Sequence, residues 1–372
     1  MKRIGITGQN GFIGWHLYHT LKLFPQQYEL IDFDRSFFSD TNLLDGFINS
    51  CDVIVHLAGV NRHDDETVVE QSNIGLAANL RESLDRTGAN PHVIMSSSTQ
   101  EERDNGYGRS KKKGRSYLAD WAAKSNGKFT GLILPNVFGP FGKPFYNSFV
   151  ATFCHLLCKG EKPEIQTDAD VPLIYVNQVV RIIREVIDTC TVNEEYKIKE
   201  DKKFRVSEVL NRLTLFKEEY LEKGVIPNLN QQFDLNLFNT FRSYIDHASA
   251  FPRKFQLNTD ERGSFVEVVR LETVGQVSFS TTRPGITRGN HFHTRKVERF
   301  AVIRGKARIQ LRKIGTDKVL NFDLNGDAPG YVDMPVWYTH NITNIGEDEL
   351  YTIFWINEWY NPEDPDTYFE KV

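Results

Sequence analysis

The opening stretch of the chain is its tightest constraint on folding. Residues 3–7 (Arg-Ile-Gly-Ile-Thr) read as a short buried strand, Gly8-Gln-Asn-Gly11-Phe-Ile-Gly14 follows, and a helical pattern runs from Trp15 to Leu23. Strand, glycine turn and helix in immediate succession allow a tight turn and leave free N–H groups at the helix start for a pyrophosphate. Gly8, Gly11, Phe12, Ile13 and Gly14 are therefore candidate dinucleotide-binding residues. Two further runs suit this beginning. Asp52-Val-Ile-Val-His-Leu-Ala-Gly59 and Pro91-His-Val-Ile-Met-Ser96 are nearly continuous in apolar residues, the pattern of parallel strands covered by helices on both faces. The C-terminal ends of such strands lie by the cofactor, which adds Leu57, Ala58 and Gly59 to the candidates.

The second strand, Tyr28–Phe33, ends among Asp32, Asp34 and Arg35. An acid at that place binds a ribose 2′-hydroxyl and favours NAD, whereas an arginine pairs with a 2′-phosphate and favours NADP. A third reading pairs Arg35 with its own aspartate neighbours.

Three hydroxyls, Ser96-Ser97-Ser98, stand where the next strand ends, and Tyr107-Gly-Arg-Ser-Lys111 opens a helical stretch reaching Trp121. Residues i and i+4 share a helix face, so Tyr107 and Lys111 point into one cleft. A neighbouring ammonium favours the phenolate and lowers the tyrosine pKa. The phenol can then exchange a proton with a carbonyl or alcohol oxygen that a serine also holds, while a nicotinamide supplies hydride.

This series, with Thr7-Gly8, His56-Leu-Ala-Gly59 and Pro135-Asn-Val-Phe-Gly-Pro140, resembles the extended short-chain dehydrogenase/reductases over roughly residues 1–245. The resemblance implies a Rossmann doubly wound parallel sheet and an enzyme of nucleotide-activated sugars. Ser98, with Ser97 second, would be catalytic beside Tyr107 and Lys111, and Lys111 would also touch the cofactor. Asn136 and Asn147 would stand on the substrate side, although Asn147 with Ser148 also reads as a helix N-cap. Two departures stand out. Glu101–Gly106 replaces a longer loop over the substrate, and Tyr175-Val-Asn-Gln lacks the acids often found there.

A chain of 372 residues has room for two cores. A formal charge of −4 gives no case for nucleic acid or an anionic membrane, and no apolar run reaches the length of a membrane span. Cys51, Cys154, Cys158 and Cys190 form neither zinc-ribbon nor disulfide spacing. The start, Met1-Lys-Arg-Ile-Gly, runs straight into a strand without a signal-peptide pattern, so a cytoplasmic protein is expected.

Arg205–Leu215 and Phe216–Leu221 read as helices completing the N-terminal domain, followed by a polar connector with a packed helix around Phe233–Tyr244. The boundary is placed near 246–253, giving domains 1–246 and 253–372. Beyond it come short β-rich runs separated by turns, the spacing of an all-β barrel or jelly roll. Within them lies Gly285-Ile-Thr-Arg288-Gly-Asn-His291-Phe-His293, then Glu298, Gly305 and a later His340. On a strand, i and i+2 share a face, so two imidazoles project together and a carboxylate can return from the next strand. That donor set suits Zn²⁺ or another divalent first-row metal.

His291, His293, Glu298 and the glycines stand at the spacing of the first cupin motif, and Pro335–Asn344 resembles the second, with His340 as fourth ligand. Trp337 occupies a position where cupins usually have glycine. A narrower likeness, through Asp260-Glu-Arg262 and Arg288 to His291, is to the dTDP-sugar 3,5-epimerases. It implies that Arg262 and Arg288 hold substrate and that His291 removes a proton alpha to a 4-keto group. Metal ligand and base thus compete for His291, with the ligand favoured by His293, Glu298 and His340; Tyr338, Lys296 and Tyr351 are then candidate bases. Both halves together, with the terminal Asn361-Pro-x-x-Pro-Asp-Thr-Tyr-Phe, resemble the CapF-like bifunctional UDP-sugar epimerase/reductases. That family implies C3 epimerisation of a UDP-2-acetamido-2,6-dideoxy-4-hexulose, reduction of C4 with NADPH to the L-talose sugar, and a homodimer. The alternative is a single-function 4-keto-sugar reductase with the β-domain as a dimerisation module.

Overall fold

Strands and helices alternate along the first half of the chain, as apolar runs separated by amphipathic stretches require. The computed structural model describes all residues except 256, 261–262, 266–267, 270–274 and 359, with the backbone alone for 258–260 and 263–265. The expectation for Arg262 therefore falls outside the described residues.

The order begins β1 (Lys2–Thr7), α1 (Phe12–Lys22), β2 (Tyr28–Ile31), α2 (Thr41–Asn49), β3 (Val53–His56), α3 (Glu66–Thr87) and β4 (His92–Ser98). It continues with α4 (Gly106–Ser125), β5 (Lys128–Leu134), β6 (Asn136–Phe138), α5 (Phe149–Cys158), β7 (Asp170–Tyr175), α6 (Val176–Thr189), β8 (Asn193–Lys197) and β9 (Lys202–Arg205). Two compact units result: residues 1–152 with 165–206, and residues 153–164 with 207–372.

In the first unit a six-stranded sheet has the order β2-β1-β3-β4-β5-β8, every pair parallel. Side chains alternate across it. Ile4, Ile6, Val55, Ile94 and Leu132 pack with Leu17 and Leu21 of α1 and Ile183 and Ile187 of α6. Ile54, Val93 and Met95 pack on the other face with Phe47 of α2, Leu80 of α3 and Trp121 of α4. The sheet is doubly wound, as expected. The chain turns outward from β1 to β2 and then returns to place β3 on the other side of β1. Ligands of open parallel sheets bind at the carboxyl ends of strands flanking such a reversal.

In the second unit come α7 (Val206–Phe216, mostly within it), a π-helical turn over Lys217–Glu222, α8 (Gln232–Arg242) and α9 (His247–Ala250). Then follow β10 (Arg253–Lys254), β11 (Asn258–Asp260), β12 (Gly263–Phe265), β13 (Gln276–Thr282), β14 (Thr287–Phe292) and β15 (Glu298–Arg304). The last six strands are β16 (Lys306–Lys313), β17 (Val319–Asn325), β18 (Gly330–Met334), β19 (Tyr338–Asn344), β20 (Leu350–Ile356) and β21 (Tyr368–Phe369). Two five-stranded antiparallel sheets form, β10-β18-β15-β20-β13 and β17-β16-β19-β14-β21. This is the expected all-β part.

The boundary expected near 246–253 falls inside this unit, and the helices over 207–250 go with the β-strands rather than with the parallel sheet. Buried polar groups explain why. Arg299 of β15 pairs with Asp333 of β18 at 2.8 Å, with side chains only 2% and 1% exposed. Asp333 also accepts the Tyr220 hydroxyl at 2.5 Å, and Arg242 of α8 donates to the Tyr220 oxygen at 3.2 Å and to the Met334 carbonyl at 3.0 Å. Removing one partner of such a pair leaves a buried charge at a cost of about 3–5 kcal/mol.

Candidate functional site

The glycine turn forms the first cradle. Gly8 has φ +80°, and a Cβ there would lie 2.7 Å from the Ala58 nitrogen, so only glycine lets β1 end this close to the turn after β3. Leu57 N donates to the Thr7 carbonyl at 3.0 Å, closing that junction. Asp40, Asp65 and Asn105 cap α2, α3 and α4 with their side chains, but α1 starts at Gly11 with no side-chain cap. The N–H groups of its first turn, those of Phe12, Ile13 and Gly14, have no carbonyl within the helix to bond, the condition that suits a helix start to an anion.

At the end of β2, Asp34 accepts from Ser36 N at 2.8 Å and its hydroxyl at 2.6 Å; these bonds hold its carboxyl below the usual range. Asp34 is thus spent on a turn. Arg35 is exposed and makes no ion pair among the described residues, so the pairing with its aspartate neighbours is not what forms.

The serines separate by strand alternation. Ser97 Oγ donates to the Glu101 carboxylate, itself buried against Arg115 at 2.8 Å. Ser98 Oγ accepts from Gln100 N at 3.2 Å and is left on the other face. Lys111 Nζ donates to the Ser96 carbonyl at 3.1 Å and stands 5.8 Å from the Tyr107 ring centroid. Burial drops Lys111 to about 8, with Glu101 opposing. The expectation that the ammonium lowers Tyr107 does not hold in this protein: burial, then Tyr146, push the phenol above its ordinary value. Beside them His56, 2.8 Å from Thr7 Oγ1, is held neutral by burial at about 3.

Two residues here escaped the sequence reading. Asn73 accepts from Val60 N at 2.7 Å and donates to the Val60 carbonyl at 2.9 Å and to Ser110 Oγ at 3.1 Å, tying the loop after β3 to α4. Its signal was a lone amide in the apolar stripe Val69-Asn73-Ala77-Leu80-Leu84. Tyr146 accepts from Asn61 N at 3.0 Å and lies close enough to raise Tyr107; nothing local marked it. Asn147 is exposed, and Ser148 caps α5, accepting from Ala151 N at 3.4 Å. Asn136 is exposed, its amide 3.3 Å from the Pro172 carbonyl.

In the second unit, His291, His293, Glu298 and His340 each offer a ligand atom, all within 4.8 Å of one another. A bulge in β14 makes this possible. The register with β19 shifts between Gly289 and His291, so His291 comes opposite His340. Gly289 sits at φ +100°, where a Cβ would lie 2.8 Å from the His340 carbonyl. Glu298 Oε2 is 3.1 Å from His293 Nε2 and 3.0 Å from His340 Nε2, yet all three atoms are buried without a directed hydrogen bond. Such convergence of unsatisfied donor atoms fits a cation. His340 Nδ1 faces the Tyr338 carbonyl at 3.2 Å and His293 Nδ1 faces that of Asp366, so both Nε2 atoms turn inward. Burial, then His340 and His293, push His291 down to about 4. Burial works against the Glu298 carboxylate, but His293 and His340 hold it well below its usual range.

Trp337 meets the demand of the turn that glycine usually meets. It adopts φ +62°, 1% exposed, with its ring stacked 5.5 Å from Phe292 and its main-chain N–H donating to the His293 carbonyl at 2.7 Å. Among the candidate bases, Lys296 is committed to the Pro365 carbonyl at 2.6 Å and Tyr351 to Glu349 at 3.2 Å. Tyr338 stacks on His247 at 5.7 Å, and burial raises it. Arg288 is exposed on β14, its Nη1 3.5 Å from the Thr281 carbonyl.

Known proteins carry the same pair of parts. Residues 4–198 match the NAD dependent epimerase/dehydratase family, and residues 258–368 the polysaccharide biosynthesis C-terminal domain. The chain is 33% identical over 368 residues to the UDP-2-acetamido-2,6-beta-L-arabino-hexul-4-ose reductase of Pseudomonas aeruginosa strain PA103, covering 98% of each. It is similar to the crystal structure of the capsular polysaccharide assembling protein CapF from Staphylococcus aureus, with 33% identity, a TM-score of 0.63 and full coverage of both chains. RMD from Pseudomonas aeruginosa, solved with NADPH, shares the fold of the first part at 20% identity and a TM-score of 0.53, over 59% of this chain and 83% of its own. With one family matched across more than half its length and a relative matched from end to end, the chain belongs to the NAD dependent epimerase/dehydratase family, in the CapF-like group that adds a polysaccharide biosynthesis C-terminal domain.

Proposed function

We propose that the chain is a bifunctional nucleotide-sugar enzyme of capsule or O-antigen synthesis. Its epimerase function belongs to the cupin-type strands after residue 253, its reductase function to the parallel-sheet unit, residues 1–152 with 165–206. The substrate is a UDP-2-acetamido-2,6-dideoxy-4-hexulose, epimerised at C3 and then reduced at C4 to a UDP-2-acetamido-2,6-dideoxy-L-talose. The observation that carries this reading is that one chain gathers two clusters, Lys111 beside Tyr107 at the Ser96–Ser98 strand end, and His291, His293, Glu298 and His340 within 4.8 Å of one another. The full-length relatives, a UDP-hexulose reductase and a capsular polysaccharide assembling protein, support the sugar class and the process.

The order of the two reactions follows from the ketone. A 4-keto group acidifies the C3–H bond, and reduction destroys that ketone, so epimerisation comes first. At the first site NADPH would supply hydride when bound, and the Phe12–Gly14 N–H groups and Arg35 would hold its phosphates. Ser98 orients the C4 oxygen, and Tyr107 donates its proton to it. Burial suits Tyr107 to this role by keeping it protonated, the form a ketone reduction consumes. Lys111 holds the hydroxyl environment positive. At the second site a divalent metal, with zinc the best fit to three imidazoles and a carboxylate, would polarise the keto oxygen. His291, neutral because its pKa lies at about 4, acts there as a ligand. The free thiols and the sugar nucleotide suit the cytoplasm, and the likeness to the CapF-like enzymes supports a homodimer as the active form.

The test is hydrogen exchange in D₂O without NADPH. Deuterium should enter C3 with the wild-type chain and not with His291→Ala. Uptake unchanged in that variant would sink the epimerase role and leave a single-function reductase.

A further inference from the structure

The C-terminal strap carries a group that the reaction as described does not use. We infer that Asp366 is a positioning residue of the four-ligand centre: it holds His293 in the tautomer whose Nε2 faces the cluster. The inference rests on the metal reading of that cluster.

Asp366 is 1% exposed and adopts φ +40°, a left-handed conformation uncommon for a residue with a side chain. Such a backbone persists where its surroundings over-determine it. Here its carboxylate does so. Oδ2 accepts from Arg295 N at 2.9 Å and Lys296 N at 3.1 Å, and Oδ1 accepts from Thr294 N at 3.1 Å and Thr294 Oγ1 at 2.7 Å. Three consecutive main-chain N–H groups and a hydroxyl thus close on one carboxylate. These three residues follow His293 directly and lead to Glu298, so the carboxylate grips the link between two ligands.

The same residue's carbonyl faces His293 Nδ1. A carbonyl only accepts, so the proton sits on Nδ1 and the Nε2 lone pair is free for the centre. The rest of the strap is lashed down on either side. Lys296 Nζ donates to the Pro365 carbonyl at 2.6 Å, and β21 pairs with the ligand strand β14 through His291 with Phe369 and Phe292 with Tyr368. None of these contacts reaches the reacting atoms, so the role is orientation.

Two readouts in the full-length, metal-free chain test this. The first is zinc affinity by competition with a chromophoric chelator; the second is the His293 ring tautomer by nitrogen-15 NMR. Asp366→Gly removes the carboxylate while permitting the left-handed backbone. It should weaken zinc binding by about 10–100-fold and turn the single Nδ1–H tautomer into a mixture. Asp366→Asn, which keeps the shape and one acceptor, should fall between and serves if the glycine variant does not fold. Wild-type zinc affinity with an unchanged tautomer in these variants would overturn the inference. A wild-type chain that binds no zinc would refute the metal reading, while the tautomer shift would still decide whether Asp366 orients His293.

Discussion

The two sites solve opposite electrostatic problems. In the first unit the buried polar groups around the strand ends are largely satisfied by the protein itself: Lys111 on the Ser96 carbonyl, His56 on Thr7, Asn73 on Val60 and Ser110. What stays open is main chain, the N–H groups at the start of α1. In the second unit the open groups are side chains, with His293, Glu298 and His340 aiming buried atoms at one another. A cradle of backbone dipoles suits an anion that comes and goes, whereas a cage of converging lone pairs is complete only with a resident cation. The difference teaches that each site is recognisable by which kind of polar atom it leaves without a partner.

The sharpest way to break the comparison is to disable one site and measure both. Tyr107→Phe should lower NADPH oxidation by about 10²–10⁴-fold, the range for a lost general acid, with C3 exchange intact. Chelation should do the reverse, abolishing C3 exchange while NADPH still binds, as read by its fluorescence. A single treatment that removed both activities would show the sites to be coupled.

Stability separates the units next. Arg299→Met leaves Asp333 buried without its cation, and should cost about 3–5 kcal/mol in denaturant unfolding. The sign with pH follows from Asp333. Burial opposes its charge, but Arg299 and Arg242 win and lower its folded pKa, so the stabilisation is present above the unfolded value and lost as pH falls through the folded one. In Arg299→Met that acid-side loss should shrink, with Arg242 and Tyr220 still lowering Asp333. Trp337→Gly gains a residue suited to φ +62° but empties a buried site, and should cost about 2–4 kcal/mol. A stabilised glycine variant would show that backbone strain outweighs packing there.

Smaller effects sharpen the first site. Arg35→Ala should reduce the preference for NADPH over NADH by about tenfold, near 1.4 kcal/mol, on comparison of kcat/KM. Lys111 is a cation below about 8 and neutral above it, so the reductase rate should fall as pH rises through that value. The same profile in a variant with an altered Glu101 should shift downward, because Glu101 raises Lys111.

What could be read without coordinates follows a physical division. The glycine turn, Tyr107 with Lys111, and His291 with His293 were legible because each lies within one turn of helix or two residues of strand, where spacing dictates a shared face. Asn73, Tyr146 and Asp366 were not, since each acts on residues 13, 85 or about 70 positions away. The helices over 207–250 show the same limit. Their amphipathic pattern declares an apolar face and is silent about which partner covers it, and the buried Arg242–Tyr220–Asp333–Arg299 chain decides for the β-strands.

By itself, the order of residues determined the two kinds of fold, the glycine turn after β1 and the paired placement of His291 with His293, because these depend on local period and local steric freedom. Tertiary structure decided the rest: that Ser97 rather than Ser98 is taken by Glu101, that burial pushes the Tyr107 phenol up, that Trp337 can stand in a glycine's conformation, and that one carboxylate near the C-terminus grips the loop behind His293. Each of those depends on desolvation or on a partner distant along the chain, and neither is visible until the chain is packed.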